Sequence, residues 1–215
     1  MWKKDWTKEQ TLYIFVLDGI LVAFFDFLTY PYVAVAIPLL VYYLMRKVGN
    51  VKKDFVTMFV QGVAFVFGYA GMWAMKWIYA TLFTSENVIA DAINSVLHRT
   101  GVTDSNADVM SSGVGDSLYR NVYTFFDNGN IMVLVVAILL GAIILWMNRK
   151  ALTINKDVVV FCALMIVSPF AWLIVLSNHC SLHPHLEWRT LCIVVFALAV
   201  VIIHMLPKAK QLEEK

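Results

Sequence analysis

Six stretches of this sequence are apolar for so long that water cannot be their solvent. They run over about residues 11–29, 31–46, 55–83, 131–148, 157–178 and 190–206. Roughly 20 residues at 1.5 Å rise suffice for a helix to cross a bilayer. Within lipid every backbone N–H and C=O must be paired inside the protein, so such runs fold as helices. With 60% of 215 residues hydrophobic and a mean hydropathy of +0.72, the chain carries more apolar surface than a soluble domain of that size buries. The expectation is an all-α polytopic membrane protein: one membrane domain over residues 1–215, with about six transmembrane helices.

Lys and Arg concentrate in short cytoplasmic loops, so the placement of charge tests this division. Thirteen of the 17 bases fall near the amino end, at 46–53, at 149–156 and in the tail. With the six acids beside them they leave a balance of +7, whereas the other four bases and nine acids make −5. That sorting places both termini in the cytoplasm. The polar start over 1–10 has no small-residue cleavage site after the next apolar run, so the first helix is expected to be retained. A net charge of +2 argues for no nucleic acid partner. Cys162, Cys180 and Cys192 form no paired redox or zinc motif.

The outer side then receives a tight turn at 29–31, a long connection over 84–130 and a polar segment over 178–189. Within the long connection, Val88, Ile89, Ala92, Ile93, Val96 and Leu97 form one amphipathic stripe, with Ser85 as its cap and Gly101 as its stop. Leu118, Tyr119, Val122, Tyr123 and Phe126 form a second. Two helices lying in the interface plane, apolar face toward lipid, are the expectation.

Chemistry-bearing residues gather at three places. The first is the segment from Asn178 to Arg189, with His179, His183, His185 and Glu187 between them. His179 and His183 at i, i+4 would share a helix face and could hold a divalent metal, but Pro184 disfavours helical geometry at His183 and no second histidine box exists. No metal or cofactor is therefore expected. Two readings stay open: a solvated interfacial turn, and a site for an anionic or hydroxyl-rich substrate, with Arg189 pairing a phosphate. The second place is Asp26, among aromatics near the outer end of the first span, where an ionisable group needs a partner or a cavity. Asp18 lies deeper in the same helix. The third is Lys76, about 32 Å up the third helix from Phe55, flanked by Trp73, Trp77 and Tyr79. It reads as a snorkelling anchor, a partner of Asp26 or a holder of a lipid phosphate. Gly68 and Gly71 mark a face for close helix approach. Arg99, Arg120, Asp91 and Asp116 fall on polar faces and are expected to be solvated.

The stretches 25–31, 71–77 and 177–189 resemble the carboxy-terminal half of larger, uncharacterised bacterial polytopic proteins. Those in turn resemble multi-span glycosyltransferases of the GT-C type, which use polyprenyl-phosphate sugars. The resemblance implies an outward-facing site beside interfacial helices, with membrane lipids and a polyprenyl-phosphate-linked sugar as partners. Under that reading, and from their location alone, Asp26 is the expected catalytic carboxylate and Lys76, Asn178, His179, His183, His185, Glu187 and Arg189 are the expected substrate-binding groups. Such enzymes place the catalytic acid in a sizeable first outer loop, where this chain has a tight turn. Either the chain is a fragment lacking amino-terminal spans, or Asp26 has another role, or the resemblance stops short of activity. Two other classes fit the same residues. One is a small transporter or channel subunit with Asp18, Asp26 and Lys76 along a polar path and spans broken at Pro38 and Pro169. The other is a non-catalytic assembly partner.

Overall fold

A computed structural model describes residues 7–25, 31–45, 51–100, 113–127 and 130–206. The described residues form ten α-helices and one short 3-10 turn, joined by short connections. The helices are α1 (Lys8–Phe24), α2 (Pro31–Met45), α3 (Val51–Phe83), α4 (Val88–Arg99), α5 (Val114–Asp127), α6 (Asn130–Met147), α7 (Lys156–Val175), α8 (Ser177–Leu182), α9 (Pro184–Glu187) and α10 (Cys192–Met205). The 3-10 turn spans Trp188–Leu191, between α9 and α10.

Over its described residues each expected span overlaps a helix. Among the described residues three helical stretches are long and apolar enough to cross a membrane: Phe55–Phe83, Lys156–Val175 and Pro184–Met205. The pair α5 and α6, bent by 76°, makes a fourth if taken as one span. α1 and α2 are shorter, at 17 and 15 residues. The all-α architecture is as expected, and three to four such stretches stand where about six spans were expected. At most a third of each of the three is buried inside the protein. The apolar side chains of α6, from Met132 to Met147, face almost entirely outward, as lipid-facing residues do.

Local chemistry explains the ends. Thr7 and Gln10 close a reciprocal capping box at the start of α1. The cap of α4 falls two residues later than expected, because the Asn87 side chain and not Ser85 accepts from Ala90 N–H. Pro38 and Pro169 do not break their helices. Pro169 lacks the N–H that would reach the Met165 carbonyl, and the Ser168 hydroxyl donates to that carbonyl instead, at 2.9 Å.

α1 and α3 run parallel in close contact. A Cβ on Gly68 would stand 2.1 Å from the Val16 carbonyl oxygen, so only hydrogen fits there. Gly71, expected to serve the same face, has open space beside it. Gly19, on the facing helix, is the second small residue the crossing requires. Phe15, Val22 and Phe65 fill the rest of this seam. A larger core joins α2, α3, α7 and α10 around Leu40, Met58, Phe161 and Ile193, with Tyr43 stacked on Phe161 at 4.0 Å.

Candidate polar site at the α4–α5 end

At one end of the bundle three helices stop, and each stop leaves carbonyls without an intrahelical donor. Side chains from other helices supply the donors. Lys76 of α3 donates to the Ala23 and Phe24 carbonyls that end α1, at 2.8 and 2.9 Å. Its ammonium also lies 5.9 Å from the centre of the Phe24 ring. The Asn178 amide of α8 donates to the His98 carbonyl near the end of α4, at 2.8 Å. The Ser117 hydroxyl of α5 donates to the Leu173 carbonyl near the end of α7, at 2.9 Å. Asn121, one turn further along α5, donates to the carbonyls of Ser117 and Cys180, both at 2.8 Å.

This sets α5 differently from the expectation. Its protein-facing edge is Ser117, Asn121 and Phe125, with Leu118 and Val122 packed beside Phe125 against α7 and α8. Tyr119, Tyr123 and Phe126 point outward. The apolar stripe therefore divides between protein and surroundings, because the polar pair is needed to satisfy the carbonyls of α7 and α8.

Around α8 and α9 lies the densest polar cluster. Glu187 is 0% exposed. One carboxyl oxygen accepts from the Trp172 indole N–H at 3.2 Å. The other stands 3.4 Å from His179 Nε2, yet neither of these two atoms makes a hydrogen bond of good geometry. The Asn178 and Asn121 side-chain oxygens are likewise buried without a donor. The His179 and His183 rings are 4.9 Å apart, and those of His183 and His185 are 5.9 Å apart. Partial burial, then the neighbouring imidazoles, hold His183 below the usual histidine range; Arg99 adds to this and Glu187 opposes it. Burial pushes the Cys180 thiol well up, and the charge and hydrogen bonding of Glu187 push it further. Among the described residues no group of His, Cys, Asp and Glu has the geometry to hold a metal ion.

Beside this cluster an apolar cleft of about 390 Å³ opens between α2, α3, α4 and α7. Tyr32, Phe65, Tyr69, Trp73 and Trp172 supply its aromatic walls, and Arg99 is the one charged side chain among its lining residues. Tyr32 stacks on Trp172 at 5.7 Å and shares a hydrogen bond with Ser168. No carboxylate among the described residues pairs with Arg99. Trp172 thus has one side on the cleft and its N–H on Glu187.

The site residues read from the sequence divide accordingly. Asn178, His179, His183, His185 and Glu187 come together. Lys76 joins the end of α1 instead. Arg189 is exposed, with its guanidinium 5.6 Å from the centre of the Trp188 ring. Asp26 lies outside the described residues. Asp18 is partly buried, and its Oδ2 has no hydrogen-bond partner. Arg99, expected to be merely solvated, is half-buried and is the one charged residue lining the cleft, and Trp172, Ser117 and Asn121 carried no sequence signal beyond their types. Compared with family models, curated proteins and solved structures, the chain matches none.

Proposed function

We propose that this chain is a multi-pass protein of the bacterial cytoplasmic membrane with both termini in the cytoplasm. Its α4–α5 end faces outward and binds an anionic amphiphile. The apolar chain of the ligand occupies the cleft, and its anionic head meets Arg99 and the adjacent histidines. The observation that carries this reading is Arg99: it is the one charged residue lining an otherwise apolar, aromatic cleft, and no carboxylate among the described residues pairs with it. A cation set against apolar groups is costly unless an anion compensates it, and the planar fork of Arg fits phosphate oxygens in pairs.

Within that ligand class, the resemblance of the 25–31, 71–77 and 177–189 segments favours a polyprenyl-phosphate-linked sugar and a glycosyltransferase-like reaction. A carboxylate would then take the proton of an acceptor hydroxyl, the role that its location in the sequence suggests for Asp26. A transport reading has one observation in its favour: Asp18 Oδ2 and Gln61 Oε1 are buried in α1 and α3 without hydrogen-bond partners. Against it, α2 and α7 run unbroken through Pro38 and Pro169.

The test is a titration of the purified protein in neutral detergent with a fluorescent polyprenyl phosphate. Saturable binding is expected, weakened at least tenfold in Arg99→Ala and partly restored in Arg99→Lys. Equal affinity for the phosphate and the uncharged polyprenol would overturn the anion reading. Sugar transfer unchanged in Asp26→Asn would remove the base assignment.

A further inference from the structure

One aromatic wall of the cleft is fixed by residues that do not line it. Tyr32 of α2 and Trp172 of α7 are stacked with ring centres 5.7 Å apart, and both belong to the lining. The polar end of each ring is tied to a residue outside the cleft, as the amphipathic character of Tyr and Trp requires away from water. The Trp172 indole N–H donates at 3.2 Å to a carboxyl oxygen of Glu187, which is itself wholly buried. The Tyr32 hydroxyl shares a hydrogen bond with Ser168, and the proton count gives its direction. Ser168 has a single hydroxyl proton, and that proton goes to the Met165 carbonyl at 2.9 Å. Pro169 has no N–H to offer this carbonyl, so the serine proton is committed there. The Ser168 oxygen is left to accept, and Tyr32 is the donor.

A flat side chain engaged both at its face and at its polar end has little freedom to turn. Such a wall stands in its binding geometry before a ligand arrives, and the ligand need not spend affinity on ordering it. We propose that Ser168 and Glu187 are positioning residues for the cleft: they hold Tyr32 and Trp172 as one preformed wall, and affinity depends on them although neither touches the ligand. The role rests on the cleft being a ligand site and adds the residues that set its shape. Every link is a direct contact, from the Met165 carbonyl through Ser168 to Tyr32, across the stack to Trp172, and on to Glu187.

The test is a double-mutant cycle on binding of the fluorescent polyprenyl phosphate to the full chain in maltoside micelles. Tyr32→Phe keeps the ring and removes only the hydroxyl. Affinity should fall roughly two- to tenfold, the range for one side chain that must be ordered on binding. Ser168→Ala should cause at least as large a fall, and the double variant should lose no more than Ser168→Ala alone, because both changes break the same bond. At the other ring, Glu187→Met should weaken binding by a similar factor, whereas Glu187→Gln, which keeps an oxygen to accept from the indole, should bind as the native protein does. The same order should appear without ligand in near-ultraviolet circular dichroism: the Trp172 signal, taken as the difference from Trp172→Phe, is reduced in Glu187→Met and kept in Glu187→Gln. Native affinity in Tyr32→Phe overturns the role of Ser168, a readout that survives if a Glu187 variant fails to fold, and so do independent losses that multiply in the double variant. Equal losses in Glu187→Gln and Glu187→Met overturn the role of Glu187. In each of these cases the native protein still binds the probe and the cleft reading stands. Failure of the native protein to bind the polyprenyl phosphate overturns the cleft reading, and the positioning role with it.

Discussion

A Cβ placed on Gly19 would stand 2.1 Å from the backbone oxygen of Phe65. The contact is backbone to backbone, so no side-chain rotation relieves it. Gly19→Ala must therefore push α1 away from α3, at a cost of about 1–3 kcal/mol or more by the usual penalty for overpacking. Unfolding in mixed micelles of denaturing and neutral detergent measures it. Gly71→Ala is the contrast: with nothing within 4 Å of the new methyl, it should be neutral or gain up to about 1 kcal/mol from helix propensity.

Lys76 ends α1 by donating to the Ala23 and Phe24 carbonyls. Replacement by Met keeps the apolar stem and removes the donors, which should cost about 1.5–3 kcal/mol for hydrogen bonds from a charged group. Hydrogen exchange should show the faster opening confined to the last turn of α1. Exchange unchanged in that turn would mean the ammonium is only an interfacial anchor.

Asn121 holds α5 on α8 through the Cys180 carbonyl. Asn121→Leu leaves that carbonyl without this donor, a loss of about 1–3 kcal/mol. α5 should become accessible to limited proteolysis while α7 and α10 remain protected. An Asn121→Leu protein with native resistance along α5 would show that the apolar contacts of Phe125 hold the helix alone.

His183 sits below the ordinary value of 6.5 for its side chain. The unfolded chain therefore binds a proton at this position more readily than the folded one between the lowered value and about 6.5. The stability it contributes is complete above about pH 6.5 and is lost as pH falls through the lowered value. Thermal unfolding from pH 7.5 to 5 should show this decline, and His183→Gln should flatten it. An identical slope in the variant would assign the decline to other groups.

The polar end of the bundle shows how far residue patterns reach. The clustering of Asn178, the three histidines and Glu187 was legible because these residues are neighbours in the chain. The interior position of Glu187 was not, since a carboxyl in a polar segment looks solvated until Trp172, 15 residues earlier, is seen to donate to it. Arg99 looked equally ordinary. Its place on the cleft depends on α2, α3 and α7 standing around it, and no pattern within α4 encodes those neighbours. Gly68 could be read as a close-packing residue and Gly71 could not be told apart from it, because the difference lies in where Val16 crosses.

What the sequence by itself determined is the helical membrane architecture. Apolar length and the need to pair every backbone group in lipid are properties of each segment alone, and they leave helix as the only outcome. What the tertiary structure decided is which polar side chain completes which helix end. Ser117, Asn121, Asn178 and Lys76 each donate to a carbonyl on another helix. The physical reason is that a helix terminus fixes how many carbonyls need partners, while the donors come from wherever packing brings a side chain within 3 Å.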